Sequence, residues 1–148
     1  MYSEAKTAQM AGYLLFKRGG RMAYIKLMKL LYLADREYMI RYGESMTGDR
    51  AVSMNNGPVL SRTYDLLKSG SSFEESPWDD WIAGESNYEV SVKKYIHGVD
   101  DEAFDEMSVA DKKILNKVFD EYGHYKRFEL CEVTHRVCKE WQDPHGSS

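Results

Sequence analysis

Two cysteines and a histidine are the residues whose types and spacing most suggest chemistry. Cys131 and Cys138 lie seven positions apart with His135 between them, on a stretch that predicts a helix over 127–140. On such a helix the two Cα atoms would be about 10.5 Å apart, which is too far for a disulfide. The two sulfurs cannot both reach one zinc ion at roughly 2.3 Å across that span. The spacing therefore predicts buried thiols that act as small hydrophobic side chains, with no metal site and no cofactor.

Other catalytic arrangements are not found in the sequence. The chain has no Gly-rich loop leading into a Lys-Ser/Thr helix, no three-glycine dinucleotide fingerprint and no G-x-S-x-G elbow. The carboxylates at 100–102 and 105–106 lie on a polar stretch, where nothing predicts an apolar pocket that would raise a pKa. No catalytic residue is predicted, and a hydrolase with an unrecognised site stays open as an alternative.

Charge divides unevenly along the chain, which has 148 residues and a net charge of −4. Residues 1–70 hold 11 basic and 6 acidic residues, whereas residues 71–111 hold 2 basic and 12 acidic residues. Residues 71–107 are named the acidic segment here, and they are predicted to be an insertion with some β structure. An acidic surface repels nucleic acid and attracts basic partners, although a solvated face without a partner fits the pattern equally well.

The acidic segment contains two tryptophans, Trp78 and Trp81, with little other apolar sequence around them. Aromatic side chains ringed by polar residues are typical of protein interfaces. The candidate partner-binding residues are therefore Trp78, Trp81, Asp79, Asp80, Asp100 and Asp101. The alternative is that both indole rings fold back onto the core, because large aromatic side chains are mostly buried.

A nucleic-acid partner is disfavoured by the sequence. Two predicted helices flank Gly19-Gly20, and Lys17 and Arg21 give this helix-turn-helix candidate a basic edge. A recognition helix needs a polar face, but the second helix is apolar on every face over Leu30–Ala34. The pI of about 5.6 also disfavours a dedicated nucleic-acid binder. A DNA-binding autorepressor that uses Lys17 and Arg21 remains an alternative function.

Apolar periodicity, glycines and prolines predict a mainly α fold, a compact helical domain with a small antiparallel β element. The predicted helices cover about 4–18, 22–42, 58–69, 108–122 and 127–140. The second is predicted to be central, because a helix that is apolar all round is packed on several sides. Gly57-Pro58 is predicted to open the third helix, since proline is favoured in the first helical turn. The β element is predicted to form near 50–54 and 88–94.

The chain is expected to be a single cytoplasmic domain over residues 1–148. Its longest apolar run is five residues, Leu30–Ala34, which predicts no membrane span. Glu4 and Lys6 precede any apolar stretch, so no secretory signal peptide is predicted, and two cysteines fit a reducing location. The sequence stops at Ser148 without a terminating element, which suggests that the natural chain continues.

Several motifs in the correct order resemble the Panacea domain of SocA-like antitoxins. The run from Lys29 to Asp35, KLLYLAD, resembles the signature of the central helix. Asn56-Gly57-Pro58-Val59 followed by Tyr64 is similar to the Tyr-Gly-Pro-Val segment of the family, with Asn56 in place of the aromatic residue. Later matches are Asp111, Ile114-Leu115, Tyr122-Gly123, Leu130, Thr134-His135 and Trp141. The motif positions expected to be structural are Lys29, Tyr32, Asp35, Gly57, Pro58, Tyr64, Thr134, His135 and Trp141.

The resemblance implies a mainly helical antitoxin module from a bacterial or prophage toxin–antitoxin pair. Members neutralise a cognate toxin by binding it directly, and in the SocA type the domain delivers the toxin to the ClpXP protease. The resemblance implies no catalytic residues and hence no enzyme activity. From the residues alone, a buried Thr134-His135 pair needs hydrogen-bond partners, and Asp35 is the expected acceptor.

Overall fold

The computed structural model describes residues 1–55, 57–71 and 75–138. Within these residues the chain forms six helices and five strands. The helices are α1 (Glu4–Lys17), α2 (Tyr24–Tyr42), α3 (Ser61–Ser69), α4 (Pro77–Trp81), α5 (Val109–Tyr122) and α6 (Arg127–Val137). The strands are β1 (Arg21–Ala23), β2 (Ala51–Met54), β3 (Gly57–Leu60), β4 (Ile82–Glu85) and β5 (Glu89–Val92). The prediction of a mainly α fold with a small antiparallel β element is confirmed.

Helix α2 is the centre of the fold, as the sequence predicts. Every residue from Lys26 to Asp35 is buried, and the helix contacts α1, α3, α5, α6 and β3. It begins at Tyr24 and not at Met22, because residues 21–23 pair with β5 as strand β1. The burial of Lys26–Asp35 argues against the helix-turn-helix candidate around Gly19-Gly20, because a recognition helix needs an exposed polar face. No helix in the described parts of the chain is both long and apolar enough to cross a bilayer.

The strands form two separate antiparallel sheets, which corrects the predicted pairing. Strand β2 pairs with β3, while a second sheet has the order β1-β5-β4. The prediction that 50–54 and 88–94 make one β element is therefore wrong. Gly57-Pro58 lies in β3, opposite Met54 and Ser53, and does not open a helix. A two-stranded sheet has only edge strands, where the missing N–H of proline is tolerated.

Helix α3 begins three residues later than predicted because an acidic side chain caps it there. The Asp49 carboxylate accepts hydrogen bonds from the backbone N–H groups of Arg62 and Thr63 at 3.1 and 2.8 Å. These N–H groups lie in the first turn, where a helix has no internal acceptor for them. The Thr63 hydroxyl donates to the same carboxylate at 2.7 Å. Asp49 thereby joins the β2–β3 hairpin to α3.

The two C-terminal helices largely follow the prediction. Ser108 accepts from the Asp111 N–H and the Asp111 carboxylate accepts from the Ser108 N–H, so the predicted capping box opens α5. Helix α6 ends at Val137, and the predicted continuation over 139–140 lies outside the described residues. The short helix α4 and the strand β4 were not predicted; five residues are too few to show helical periodicity.

Candidate functional site

Most of the family-motif positions lie together in the interior, where α2, β3 and α6 meet. We call Lys29, Asp35, Gly57, Pro58, Thr134 and His135 the motif core. The Lys29 side chain is fully buried, and its Nζ donates to the carbonyl oxygen of Pro58 at 2.8 Å. Burial lowers the pKa of Lys29 from 10.5 to about 8, against a smaller opposing effect of the two cysteines. The ammonium therefore fastens β3 to the central helix.

Gly57 lies where only glycine fits. Its φ of +103° is a conformation that other residues rarely adopt. A Cβ built on it would lie 2.9 Å from Nε2 of His135 and 3.3 Å from Nζ of Lys29. These two side chains therefore close directly over the Gly57 backbone. On the outer side, Lys29 and Tyr64 line a cavity of about 300 Å³ beside Met54.

Asp35 organises the loop that follows α2. Its buried carboxylate accepts from the Met46 N–H at 2.6 Å, the Thr47 hydroxyl at 2.7 Å and the Ser45 hydroxyl at 3.0 Å. The expectation that Asp35 serves the Thr134-His135 pair is wrong for Thr134, whose hydroxyl donates to the Cys131 carbonyl at 2.8 Å. A threonine on a helix can satisfy its hydroxyl on the preceding turn, so it needs no distant acceptor.

Two cysteines lie near the Lys29 ammonium of the motif core. Cys131 and Cys138 form no disulfide and both are buried, as predicted. Burial raises the pKa of the Cys131 thiol, and the nearby Lys29 ammonium offsets this only in part. A thiol with a raised pKa is a poor nucleophile at neutral pH. Within the described ranges, no group of three or more His, Cys, Asp or Glu side chains could hold a metal ion.

The tryptophans of the acidic segment point inward, so they are not surface anchors. Trp78 is 1% exposed and Trp81 is 4% exposed, which confirms the alternative that both rings join the core. The Trp81 ring stacks on Phe104, with centroids 5.4 Å apart, and lies over Gly12 of α1. The Trp78 N–H of the backbone donates to the Glu4 carboxylate at 3.1 Å. These contacts hold two parts of the acidic segment on α1.

The four candidate aspartates divide into two kinds. Asp79 accepts from the Ser71 N–H at 3.3 Å, and Asp101 accepts from the N–H groups of His97 and Ala103 at 2.9 Å. These backbone hydrogen bonds lower the pKa of Asp101. Asp79 and Asp101 thus shape their own loops. The exposed acidic residues in the described part of the segment are Glu75, Asp80, Glu85, Asp100, Glu102, Asp105 and Glu106.

One exposed apolar patch was not predicted. Met39 and Ile40, near the C-terminal end of α2, are 48% and 66% exposed. They line a groove of about 380 Å³, which also reaches buried Asp35 and Tyr32. The signal in the sequence was the continuation of apolar residues past Asp35, among the charged residues that end the helix.

The comparisons with known proteins place the motif core in a family context. The family model described as antitoxin SocA-like, Panacea domain, matches residues 27–142. The match includes every motif position, although Trp141 lies outside the described residues. Neither the curated proteins nor the solved structures provide a match.

Proposed function

The chain belongs to the family of SocA-like antitoxins with a Panacea domain, and from this premise we propose that it neutralises a cognate toxin by binding it directly. The observation that carries the proposal is the family match over residues 27–142. Its motif residues, where described, are used for packing and internal hydrogen bonds. The proposed activity is therefore occupancy of the toxin in the cytoplasm, with no substrate transformed.

We place the toxin-binding surface on the acidic segment. Asp80 and Asp100 are exposed, and their carboxylates make no ion pair within the described residues. The buried Trp81–Phe104 pair supports this surface from below. Many toxins act on nucleic acids and need basic clefts, which an acidic surface would attract and cover. The buried aromatic rings hold the exposed carboxylates in place before the toxin binds. The surface is therefore preorganised and loses little conformational entropy on binding.

Association kinetics with the product of the adjacent reading frame test this surface. The triple variant Asp80→Asn, Asp100→Asn, Glu102→Gln removes three exposed charges without disturbing a described hydrogen bond of these carboxylates. We expect the association rate constant to fall about tenfold at low salt and to depend less on salt.

The matched control removes three exposed acidic residues elsewhere, in the triple variant Glu44→Gln, Asp65→Asn, Glu132→Gln. It has the same net charge, so it separates a local surface from the overall charge. Equal association rates for the two triple variants would refute the acidic surface. They would leave direct binding intact, which is judged by whether the wild-type complex forms at all.

Delivery of the toxin to ClpXP is a further part of the proposed mechanism. If the chain is an adaptor, the half-life of the toxin should shorten when both the chain and ClpXP are present. A half-life that is unchanged by the chain would limit the mechanism to direct neutralisation.

A further inference from the structure

A basic groove lies at the opposite end of α2 from the apolar patch. We call the cavity lined by Arg18, Arg21, Lys26, Lys126 and Arg127 the basic groove, and its volume is about 720 Å³. These residues come from the end of α1, from β1, from the start of α2 and from the start of α6. The fold brings these distant residues together. The Lys26 ammonium, for example, donates a hydrogen bond to the carbonyl oxygen of Gly123, which lies 97 positions later in the chain.

Part of this positive charge is not neutralised within the protein. Arg21 pairs with Glu89, with Nε 2.6 Å from the carboxylate. By contrast, Arg18, Lys126 and Arg127 form no ion pair with any described residue. Burial, together with repulsion from Arg18, lowers the pKa of Lys26. Like charges are thus crowded at a concave surface, which is the arrangement that an anion would relieve.

Aromatic rings stand at the rim of the same groove. Tyr88 is 75% exposed, and its ring centroid lies 6.4 Å from that of Tyr24. On the other side, the rings of His124 and Tyr125 lie tilted against each other, with centroids 4.2 Å apart. Exposed rings beside cationic side chains form a stacking platform of the kind that binds nucleobases.

The backbone presents Tyr88 at a conformational cost. Asn87 and Tyr88 have φ values of +60° and +59°, in the left-handed region that a tyrosine rarely adopts. The Tyr88 carbonyl accepts from the Tyr24 N–H at 2.9 Å, which holds the turn against the start of α2. A glycine or asparagine would fit this backbone better, so a tyrosine at the turn between β4 and β5 is unusual.

We propose that the basic groove binds a nucleoside phosphate, with the phosphate on Lys126 and Arg127 and the base on the Tyr88 ring. Arg18 and Arg21 lie along the same cavity and can hold further phosphates. The volume of about 720 Å³ is in the range of small-ligand sites. The same chemistry is offered by a free nucleotide and by a single strand of RNA, so the test must separate the two. The site differs from the carboxylates changed in the toxin test, because Asp80, Asp100 and Glu102 do not line the groove. Tyr88 does belong to the acidic segment, so the groove is tested with the chain alone.

Fluorescence anisotropy with the full chain tests the groove. The probes are ATP carrying a fluorophore, a labelled adenylate RNA of about ten nucleotides and a duplex DNA of similar length, at about 50 and about 200 mM salt. We expect saturable binding of the nucleotide or of the RNA, and binding of the RNA alone would identify a strand as the source. Preference for the duplex, or no saturable binding of either single-stranded probe, would overturn the proposal.

Two variants separate the phosphate and base contacts. Lys126→Gln with Arg127→Gln should weaken RNA binding at least tenfold and reduce the salt slope by about 1.4, because two phosphate contacts are lost. Tyr88→Asn keeps a residue that tolerates the left-handed backbone, and it should weaken binding about tenfold with the salt slope unchanged.

The control for charge is Arg50→Gln with Lys113→Gln, at two exposed positions outside the groove. This variant should bind like the wild type. If it loses as much affinity as the groove variants, the binding is a general effect of charge and the proposal fails.

Discussion

The motif core and the acidic segment place their charges in opposite ways. In the motif core, Lys29 and Asp35 are buried, and each binds backbone groups of a neighbouring segment. In the acidic segment, the aromatic rings of Trp81 and Phe104 are buried, while Asp100 and its neighbours face outward. The residues that carry the family resemblance therefore build the domain, and a different set of residues forms the surface proposed for the partner.

This comparison separates stability from recognition. Buried ionised groups are costly unless they are fully hydrogen-bonded, so changes in the motif core should act on folding. Exposed carboxylates contribute little to folding and act on encounter rates with a charged partner. The predictions below test this separation, beginning with the largest effect.

Asp35→Ala should destabilise the protein by about 3–5 kcal/mol, because it leaves the Met46 N–H and the Thr47 hydroxyl buried without their acceptor. The matched change Asp100→Ala should alter the free energy of unfolding by less than about 0.5 kcal/mol. Urea unfolding of the two variants measures both values. Similar losses in the two would end the distinction between the regions.

Lys29 should make stability depend on pH in a defined window. The unfolded chain keeps this proton up to its ordinary pKa of 10.5, whereas the folded protein releases it near a pKa of about 8. Folding therefore releases a proton between these pH values, and the contribution of Lys29 to stability increases as pH rises through the window. Relative to Lys29→Met, the wild type should gain about 3 kcal/mol from pH 8 to pH 10.5.

Chemical denaturation of both proteins across this range gives the difference directly. Taking the difference removes the contributions that the two proteins share. A difference that stays constant with pH would show that burial does not lower the pKa of Lys29 in the folded protein.

Gly12 should tolerate no side chain, because the Trp81 ring covers it. A Cβ would lie 2.5 Å from Cε3 of Trp81, so Gly12→Ala should cost about 1–2 kcal/mol even though alanine favours a helix. Gly84→Ala is the control, since nothing lies within 4 Å of a Cβ at that position. Thermal melting should place the Gly12 variant several degrees below the Gly84 variant. A stabilised Gly12→Ala protein would mean that the acidic segment is not seated on α1 in this way.

Much of the architecture could be predicted from the sequence because strong local signals agreed with the tertiary structure. The apolar run Leu30–Ala34 predicted a central helix, and Ser108 with Asp111 predicted the start of α5. The interpretation of Gly57-Pro58 as a helix start was wrong, because the same two residues are also compatible with an edge strand. The true start of α3 is capped by Asp49, which precedes the helix by more than ten residues and gives no local signal.

The candidate site was less predictable, because burial of a single side chain depends on contacts between distant segments. The sequence around Trp78 and Trp81 is polar, and the Trp81 ring packs over Gly12 of the distant helix α1. The basic groove likewise joins residues from four elements. A net charge of −4 for the whole chain gives no indication of such a local basic surface. Local composition does not predict contacts between residues that are distant in the sequence.

The most direct test of the proposed function is to titrate the purified product of the adjacent reading frame with the purified chain. Calorimetry measures binding, and an activity assay measures how much toxic activity remains. We expect a stoichiometric complex in which toxic activity is lost at equimolar ratio. A toxin that stays fully active in excess of the chain, with no heat of binding, would contradict it.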